Sequence, residues 1–445
     1  MIALTSRRRV SELGLGLLAL VVTAGGYVLL LLADEPDLSG QLWGFLVVVL
    51  GLFVVAHIAT RILAPRADGV LLPLVCLLDG LGFVIISRLD SGLAGDDYAP
   101  AQAMWTAIGI GAFVLTLAVV RRVSILERYR YTFLLLGVGA LVLPAVPGIG
   151  REINGARIWV GIGPLTFQPG EAAKVLVVIF FAAYLVDKRE LLAAGTRQVG
   201  RLRLPDPKHL GPLLLAWGVS ILVLVRLKDL GSSLLFFAVF AAMLYMATSR
   251  SSYLLAGLVL FFGGAAIAYQ LFAHVQDRVT IWTNPWPVAD DKGYQIVQSL
   301  FAFGTGGFAG TGLGLGSPEK IPAAHTDFIF AAIGEELGLL GTMAVLIAVL
   351  LFVGSAFRIA LVADRPFSQL FAAGLATIFA IQTFLIIGGV TRLIPLTGIT
   401  LPFISYGGSS LVANFVILAL LLRISDETAR RAENRAERGA VGAAR

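Results

Sequence analysis

Ala324-His325-Thr326-Asp327-Phe328-Ile329-Phe330 is the point where a long polar loop ends and a membrane-length apolar run begins. Asp327 therefore stands where water meets hydrocarbon. An ionisable group so close to a bilayer costs free energy and usually marks function. The apolar run behind it continues to about residue 354, long enough to cross a bilayer, since about 20 apolar residues suffice as a helix.

Working outward, the same pattern recurs along the chain. Hydrophobic residues make up 58% of the 445 and charged residues only 14%, against about 25% charged in soluble domains. Mean hydropathy is +0.88. Apolar runs predict twelve helices, at about 13–33, 39–63, 69–88, 102–120, 131–147, 171–186, 210–227, 231–248, 252–274, 328–354, 367–390 and 405–423. The fold class is all-α, a polytopic transmembrane helical bundle. The one cysteine, Cys76, lies in an apolar segment, so redox compartment cannot be read from it.

With the N-terminus placed in the cytoplasm, 24 of the 34 Lys and Arg residues fall in inside loops and tails, nine fall outside, and Lys174 lies within a helix. That bias fits the positive-inside rule with both termini cytoplasmic. The isoelectric point near 9.5 is thus a topology signal and implies no nucleic-acid partner. The first apolar run follows Ser6-Arg7-Arg8-Arg9 like a signal peptide, but at 21 residues it is too long for an h-region and is expected to be a retained helix.

Two outside loops are long, 148–170 and 275–327. Such length in a compact domain usually serves a function. The second carries Trp282 and Trp286, suited to a membrane interface. Its Gly293–Phe303 stretch predicts a short amphipathic surface helix with Ile296, Val297, Leu300, Phe301 and Phe303 on one face and Gln295, Gln298 and Ser299 turned away. The glycines from Gly304 to Gly316 permit close backbone approach, or else form a flexible linker. No P-loop, H-E-x-x-H or paired C-x-x-C occurs, which excludes the usual ATPase and zinc motifs.

Five segments in order resemble the SEDS family (shape, elongation, division and sporulation), the RodA/FtsW peptidoglycan glycosyltransferases. His325-Thr326-Asp327-Phe328-Ile329-Phe330 through Gly334-Glu335-Glu336-Leu337-Gly338 is similar to the family's central signature. Phe167-Gln168-Pro169-Gly170-Glu171-Ala172-Ala173-Lys174 resembles F-Q-P-S-E-x-x-K, with Gly170 in place of the serine. Lys228-Asp229-Leu230-Gly231-Ser232-Ser233, Gly293-Tyr294-Gln295 through Ser299, and Pro395-Leu396-Thr397-Gly398 through Ser410 supply the rest. The H-T-D-F-I-F signature is closer to the elongation (RodA) branch. The resemblance implies a ten-helix catalytic membrane domain over 69–423, two additional helices within 1–68, and a cytoplasmic tail at 424–445, expected as a short helix or a disordered end.

It further implies a bacterial cytoplasmic-membrane enzyme that polymerises lipid II at the outer face with inversion, beside a class B penicillin-binding protein and membrane lipids. The diphosphate is already a good leaving group, so the acceptor hydroxyl needs a base. Asp327 matches the family's essential aspartate and is the expected general base. The alternative is that it only caps the following helix. Charge developing on the diphosphate calls for cations or a divalent metal ion. The outside candidates are Arg157, Arg278, Lys320 and Arg392, and no further cofactor is expected. Arg157 could equally snorkel at the interface. Glu171 and Lys174, spaced i, i+3, pair as cavity-lining or structural residues. Gln298 and Ser299 are candidates to bind sugar groups. His325, Thr326 and Ser405 complete the expected substrate-binding set. A lipid-linked precursor flippase and a non-catalytic scaffold are the competing classes.

Overall fold

The computed structural model describes the whole chain except residues 1, 34–37, 93–97, 154–155, 164, 195–196, 200–201, 205–206 and 444–445. Asn154 and Gly155 of the Arg157 motif, and Arg201 of the basic loop count, lie outside the described residues.

The helices run, in order, α1 (Ile2–Ala33), α2 (Leu38–Leu63), α3 (Leu71–Gly92), α4 (Tyr98–Val119), α5 (Ser124–Arg128) and α6 (Arg130–Val142). Next come α7 (Pro169–Asp187), α8 (Arg189–Ala194), α9 (Pro207–Arg226), α10 (Leu230–Thr248) and α11 (Ser251–Leu271). The last group is α12 (Ala273–Thr283), α13 (Tyr294–Gly306), α14 (Ile329–Val362), α15 (Pro366–Val390) and α16 (Gly408–Ala443). Each of the twelve apolar runs forms a helix. Among the described residues nine are long and apolar enough to cross a membrane, and the chain is a multi-pass membrane protein.

Helices α7, α15 and α16 are the most buried, while α11 has no buried residue and stands at the periphery. Phe352, Phe379 and Phe403 interlock at the centre, with ring centroids 4.3 to 6.1 Å apart. The added pair packs on this core, α1 against α3 and α2 against α4. It is cross-linked by Glu12, which is buried and bonds both His57 (2.9 Å) and Arg61.

The 148–170 segment, expected only as a long loop, folds into a three-stranded antiparallel sheet: β1 (Gly150–Ile153), β2 (Ala156–Ile162) and β3 (Leu165–Phe167). Its branched and aromatic residues suit strands, but runs of three to seven residues give little periodicity to read. A small hairpin, β4 (Arg197–Val199) and β5 (Leu202–Leu204), lies in the 187–209 connection. The 424–443 tail takes the helical alternative and continues α16.

The glycine-rich stretch is no flexible linker. Helix α14 breaks at Gly338 (φ +63°), and two of its hydrogen bonds are exchanged with the loop. Leu339 N and Leu340 N donate to Gly307 O and Phe308 O, while Thr311 N and Gly312 N donate to the vacated Glu335 O and Glu336 O. A Cβ on Gly310 would lie 2.2 Å from Glu336 O, so only glycine allows this backbone-on-backbone contact. The Glu335 side chain accepts from Ser317 N (2.9 Å), and Glu336 pairs with Arg88 (2.8 Å). The conspicuous G-E-E-L-G signature thus anchors the loop that leads to Asp327.

Candidate active site

The turn at Ala323 (φ +57°) starts the segment that carries Asp327. Its main chain is gripped from the opposite loop: Ser405 Oγ donates to Thr326 O (2.6 Å), and Tyr406 N donates to His325 O (2.8 Å). The His325 ring stacks on Tyr98 at 4.0 Å and meets the edge of Tyr406 at 5.8 Å. Tyr98 is fixed in turn because Asp90 accepts the first amides of α4, Tyr98 N (3.0 Å) and Ala99 N (2.6 Å). The end of α3, the start of α4 and the loop before α16 therefore together hold His325 and Thr326, the two residues before Asp327.

The Asp327 carboxylate has no hydrogen-bond donor among the described residues. The helix-cap alternative is not adopted, since Phe328 takes the N-cap position of α14 without any side-chain cap. Loss of hydration pushes the Asp327 carboxyl up to about 6, and the positive charge of Arg278 pulls against that rise. Arg278, on α12, is anchored by Nη1 donating to Leu396 O (2.6 Å). Its burial lowers its own pKa, opposed by Asp229 and Asp327. Gly398 (φ +72°) keeps the two groups facing. A Cβ there would stand 3.7 Å from both Arg278 Nη2 and Asp327 Oδ2.

Asp229 also acts on Arg278 electrostatically while capping α10, with Ser232 N donating to its Oδ1 (2.9 Å). Sequence alone gives Asp229 only this capping role. Its nearness to Arg278 depends on Gly231, whose missing Cβ admits Thr397 O within 2.5 Å of the Cβ position.

The other expected residues divide. Lys174 is buried, bonded to Glu171 (2.6 Å) and to Gln382 Oε1 (2.9 Å), and Gln382 Nε2 donates on to Thr400 O (2.9 Å). This chain ties α7 and α15 to the loop behind Gly398. Arg392 (φ +61°) braces α12 by donating to Trp282 O (2.8 Å) and Thr283 O (3.1 Å). Ser299 corrects the expected helix face. It is fully buried and donates to Val390 O (3.2 Å), while Phe301 is exposed, because a small residue is needed where α13 meets the end of α15. Gln298 stays half-buried on α13, and Thr326 Oγ1 turns back to Ala323 O (3.3 Å). Arg157 lies on β2 beside Gly150, and Lys320 is exposed in the short helical turn Pro318–Lys320. No described contact joins either of them to Asp327.

Among the described residues no group of three or more His, Cys, Asp or Glu side chains is placed to hold a metal ion. A divalent cation here would rest on Asp327 and on substrate phosphate oxygens, as hard cations commonly do.

A desolvated carboxylate facing a guanidinium, where helix ends of a membrane bundle converge, defines a membrane enzyme able to take a proton beside an anion. The chain belongs to the FtsW/RodA/SpoVE family, described as cell cycle proteins, whose family model matches residues 68–430. Helices α1 and α2 precede that match. The chain is 46% identical over 427 residues to the peptidoglycan glycosyltransferase RodA of Mycobacterium leprae, covering 95% of this chain and 91% of the relative. A probable peptidoglycan glycosyltransferase FtsW of Geobacter sulfurreducens is 34% identical over 372 residues, covering 81% and 95%. Among solved structures, a chain from a study of polymerization and crosslinking by a peptidoglycan synthase complex superposes with TM-score 0.65 at 26% identity, covering 81% of this chain and 98% of that one. The rod shape determining protein RodA of Thermus thermophilus gives 0.55 at 26% identity, covering 81% and 96%.

Proposed function

We propose that the chain is a peptidoglycan glycosyltransferase of the elongation type, with Asp327 as its general base. The observation that carries this reading is the state of that carboxylate: half-buried, raised to about 6, without a donor among the described residues, and facing Arg278 across Gly398. A base poised near neutral pH accepts a proton efficiently.

In the reaction the acceptor sugar hydroxyl donates its hydrogen bond to Asp327. Its oxygen attacks the anomeric carbon of the lipid-linked donor, and the bond to the diphosphate breaks with inversion. The proton ends on Asp327, and the negative charge leaves on the diphosphate. Arg278 stands close enough to Asp327 to stabilise that departing charge. The Glu171–Lys174–Gln382 chain keeps the wall behind it in place. Residues 69–423 form the catalytic domain in this scheme. Lys320, His325 and Gln298 remain candidate substrate contacts at the rim.

The basic-residue count supports placing Asp327 at the outer face of the bacterial cytoplasmic membrane, with both termini inside. A class B penicillin-binding protein is the proposed partner for crosslinking. The test is polymerisation of lipid II by the purified, reconstituted chain with and without that partner. Glycan polymer that disappears in a folded Asp327→Asn variant supports the proposal. Wild-type rates in that variant sink it, and transbilayer movement of lipid II without polymer would favour a flippase.

A further inference from the structure

Helix α1 precedes the region shared with the family, yet its C-terminal end touches the loop that leads to Asp327. A Cβ built on Gly314 would lie 2.7 Å from Ala33 Cβ and 3.6 Å from Leu30 Cδ1. Gly314 also sits in the left-handed region (φ +84°), so position 314 is closed to a side chain on both counts. The neighbouring Leu313 packs on a small apolar cluster of Tyr27, Leu30, Leu31 and Val84, set apart from the main core. Leu30 and Leu31 are buried there, whereas Leu29 and Leu32 beside them are more than half exposed. One face of α1 is thus reserved for the loop and for α3.

The same stretch of loop is gripped by polar contacts. Arg88 on α3 donates Nη2 to Gly316 O (2.9 Å) and Nε to Glu336 Oε1 (2.8 Å), and Ser317 N donates to Glu335 Oε1 (2.9 Å). Those two acids belong to the part of α14 that breaks at Gly338 and exchanges main-chain bonds with Thr311 and Gly312. Residues 311–317 are therefore held by hydrogen bonds from α3 and α14 and by apolar contact from α1. The hydrogen bonds fix the register of the loop. The apolar contact limits how far it can lift away from them.

Helix α1 can act as a brace because it is itself fixed. Near its N-terminal end, buried Glu12 bonds His57 (2.9 Å) and Arg61 of α2. Midway, Thr23 fills the space that a Cβ on Gly80 of α3 would need, and Gly26 lies against Val84. At 1.5 Å per residue the helix covers about 30 Å from Glu12 to Ala33, the thickness of the hydrocarbon core. We infer that α1 is a strut for the catalytic loop. Leu30 and Ala33 are positioning residues that keep residues 311–317 seated on α14, and through them the segment that presents Asp327. The seating of the loop stands on packing alone, whereas its consequence for turnover rests on the glycosyltransferase reading.

The experiment uses the full chain in nanodiscs, with amide hydrogen exchange measured beside lipid II polymerisation. The amides of Thr311, Gly312, Leu339 and Leu340 report the bonds between loop and α14. Leu30→Ala removes the apolar contact, and Ala33→Leu wedges the loop away from it. Each is expected to speed exchange at those amides by about tenfold. Each should also lower kcat about tenfold, with KM for lipid II within about twofold, as displacement of a catalytic group does. Leu30→Met, close in volume, is expected to restore both. Leu20→Ala is the control. Leu20 packs on the main core about 15 Å along α1 from Leu30, so its loss should lower the melting temperature and leave the four amides and kcat as in the wild type.

Unchanged exchange at the four amides in folded Leu30→Ala and Ala33→Leu overturns the strut. Equal acceleration in Leu20→Ala also overturns it, because the effect is then a general loosening of the bundle. Faster loop exchange with kcat at the wild-type value overturns the positioning role toward Asp327. Faster loop exchange confined to Leu30→Ala and Ala33→Leu, in a chain whose wild type makes no polymer, supports the strut while removing the glycosyltransferase reading.

Discussion

The paired charges where α16 emerges and the Asp327–Arg278 site at the other end of the bundle treat charge in opposite ways. At the end where α16 emerges, cations meet acids directly. Arg66 bonds Glu433, Arg358 bonds Asp68, Arg431 bonds Glu427 (3.1 Å), and Arg130 bonds Asp187 (3.2 Å). Arg423 also donates to the free carbonyls Leu63 O and Leu117 O at two helix ends, and Asp426 and Glu427 accept from Arg66 N and Val123 N. At the other end Asp327 and Arg278 face each other across Gly398 without closing into an ion pair. Structural charge is neutralised on contact. Charge kept apart and desolvated stays available for chemistry, as the proposed role of Asp327 requires.

Several measurements would break or sharpen this contrast. The largest effect belongs to Asp327→Asn, expected to lower the polymerisation rate by about 10²–10⁴-fold, the usual worth of a positioned base. The same change should stabilise the fold. Asp327 binds its proton more tightly in the folded state, so its contribution declines as pH rises from about 4 to about 6 and stays at its low value above that. Two pKa units correspond to about 3 kcal/mol. The variant should therefore gain up to that amount at pH 7 and nothing below pH 4, in paired unfolding curves. Lys174→Ala is expected to cost about 3–5 kcal/mol in the same assay, because it removes the buried cation that pairs with the largely enclosed Glu171 and bonds Gln382.

The rate itself should fall about tenfold for each pH unit below 6, as the base becomes protonated. A flat profile from pH 5 to 8 would argue against Asp327 as the titrating group. Gly398→Ala forces a side chain into the left-handed region, at about 1–2 kcal/mol. It also fills the gap between the two charges, and should reduce kcat/KM by about tenfold while leaving the protein folded. The smallest effect is expected at the paired end. Glu433→Ala removes a half-exposed partner of Arg66 and should change stability by about 0–1 kcal/mol without altering polymerisation. A large loss of activity there would mean that the two ends are coupled.

Hydropathy alone made the bundle legible. All twelve apolar runs are helices, because a membrane-length run of Leu, Val, Ala and Phe has no other way to satisfy its backbone in hydrocarbon. Asp327 stands out in the sequence for the same reason, as a charge out of place. The approach of Asp229 to Arg278 was not, since it depends on Gly231 meeting Thr397 O, a contact between residues far apart in the chain. Ser299 was misjudged because the face of a short helix was assigned from polarity, whereas its burial follows from close packing against Val390. The roles of Glu335 and Glu336 were hidden likewise. Nothing local announces that α14 breaks at Gly338 and trades bonds with the loop. The sheet at 150–167 is too short for its alternation to stand out.

Gly398 carries one more consequence. The ground between Arg278 and Asp327 is furnished mainly by main chain: a glycine, the carbonyl of Leu396, and a peptide held by its own carbonyls. An inhibitor wedged there would read backbone atoms, which mutation cannot remove. Escape by substitution would then be confined to few positions, and the most direct, Gly398 itself, already tolerates no side chain without strain.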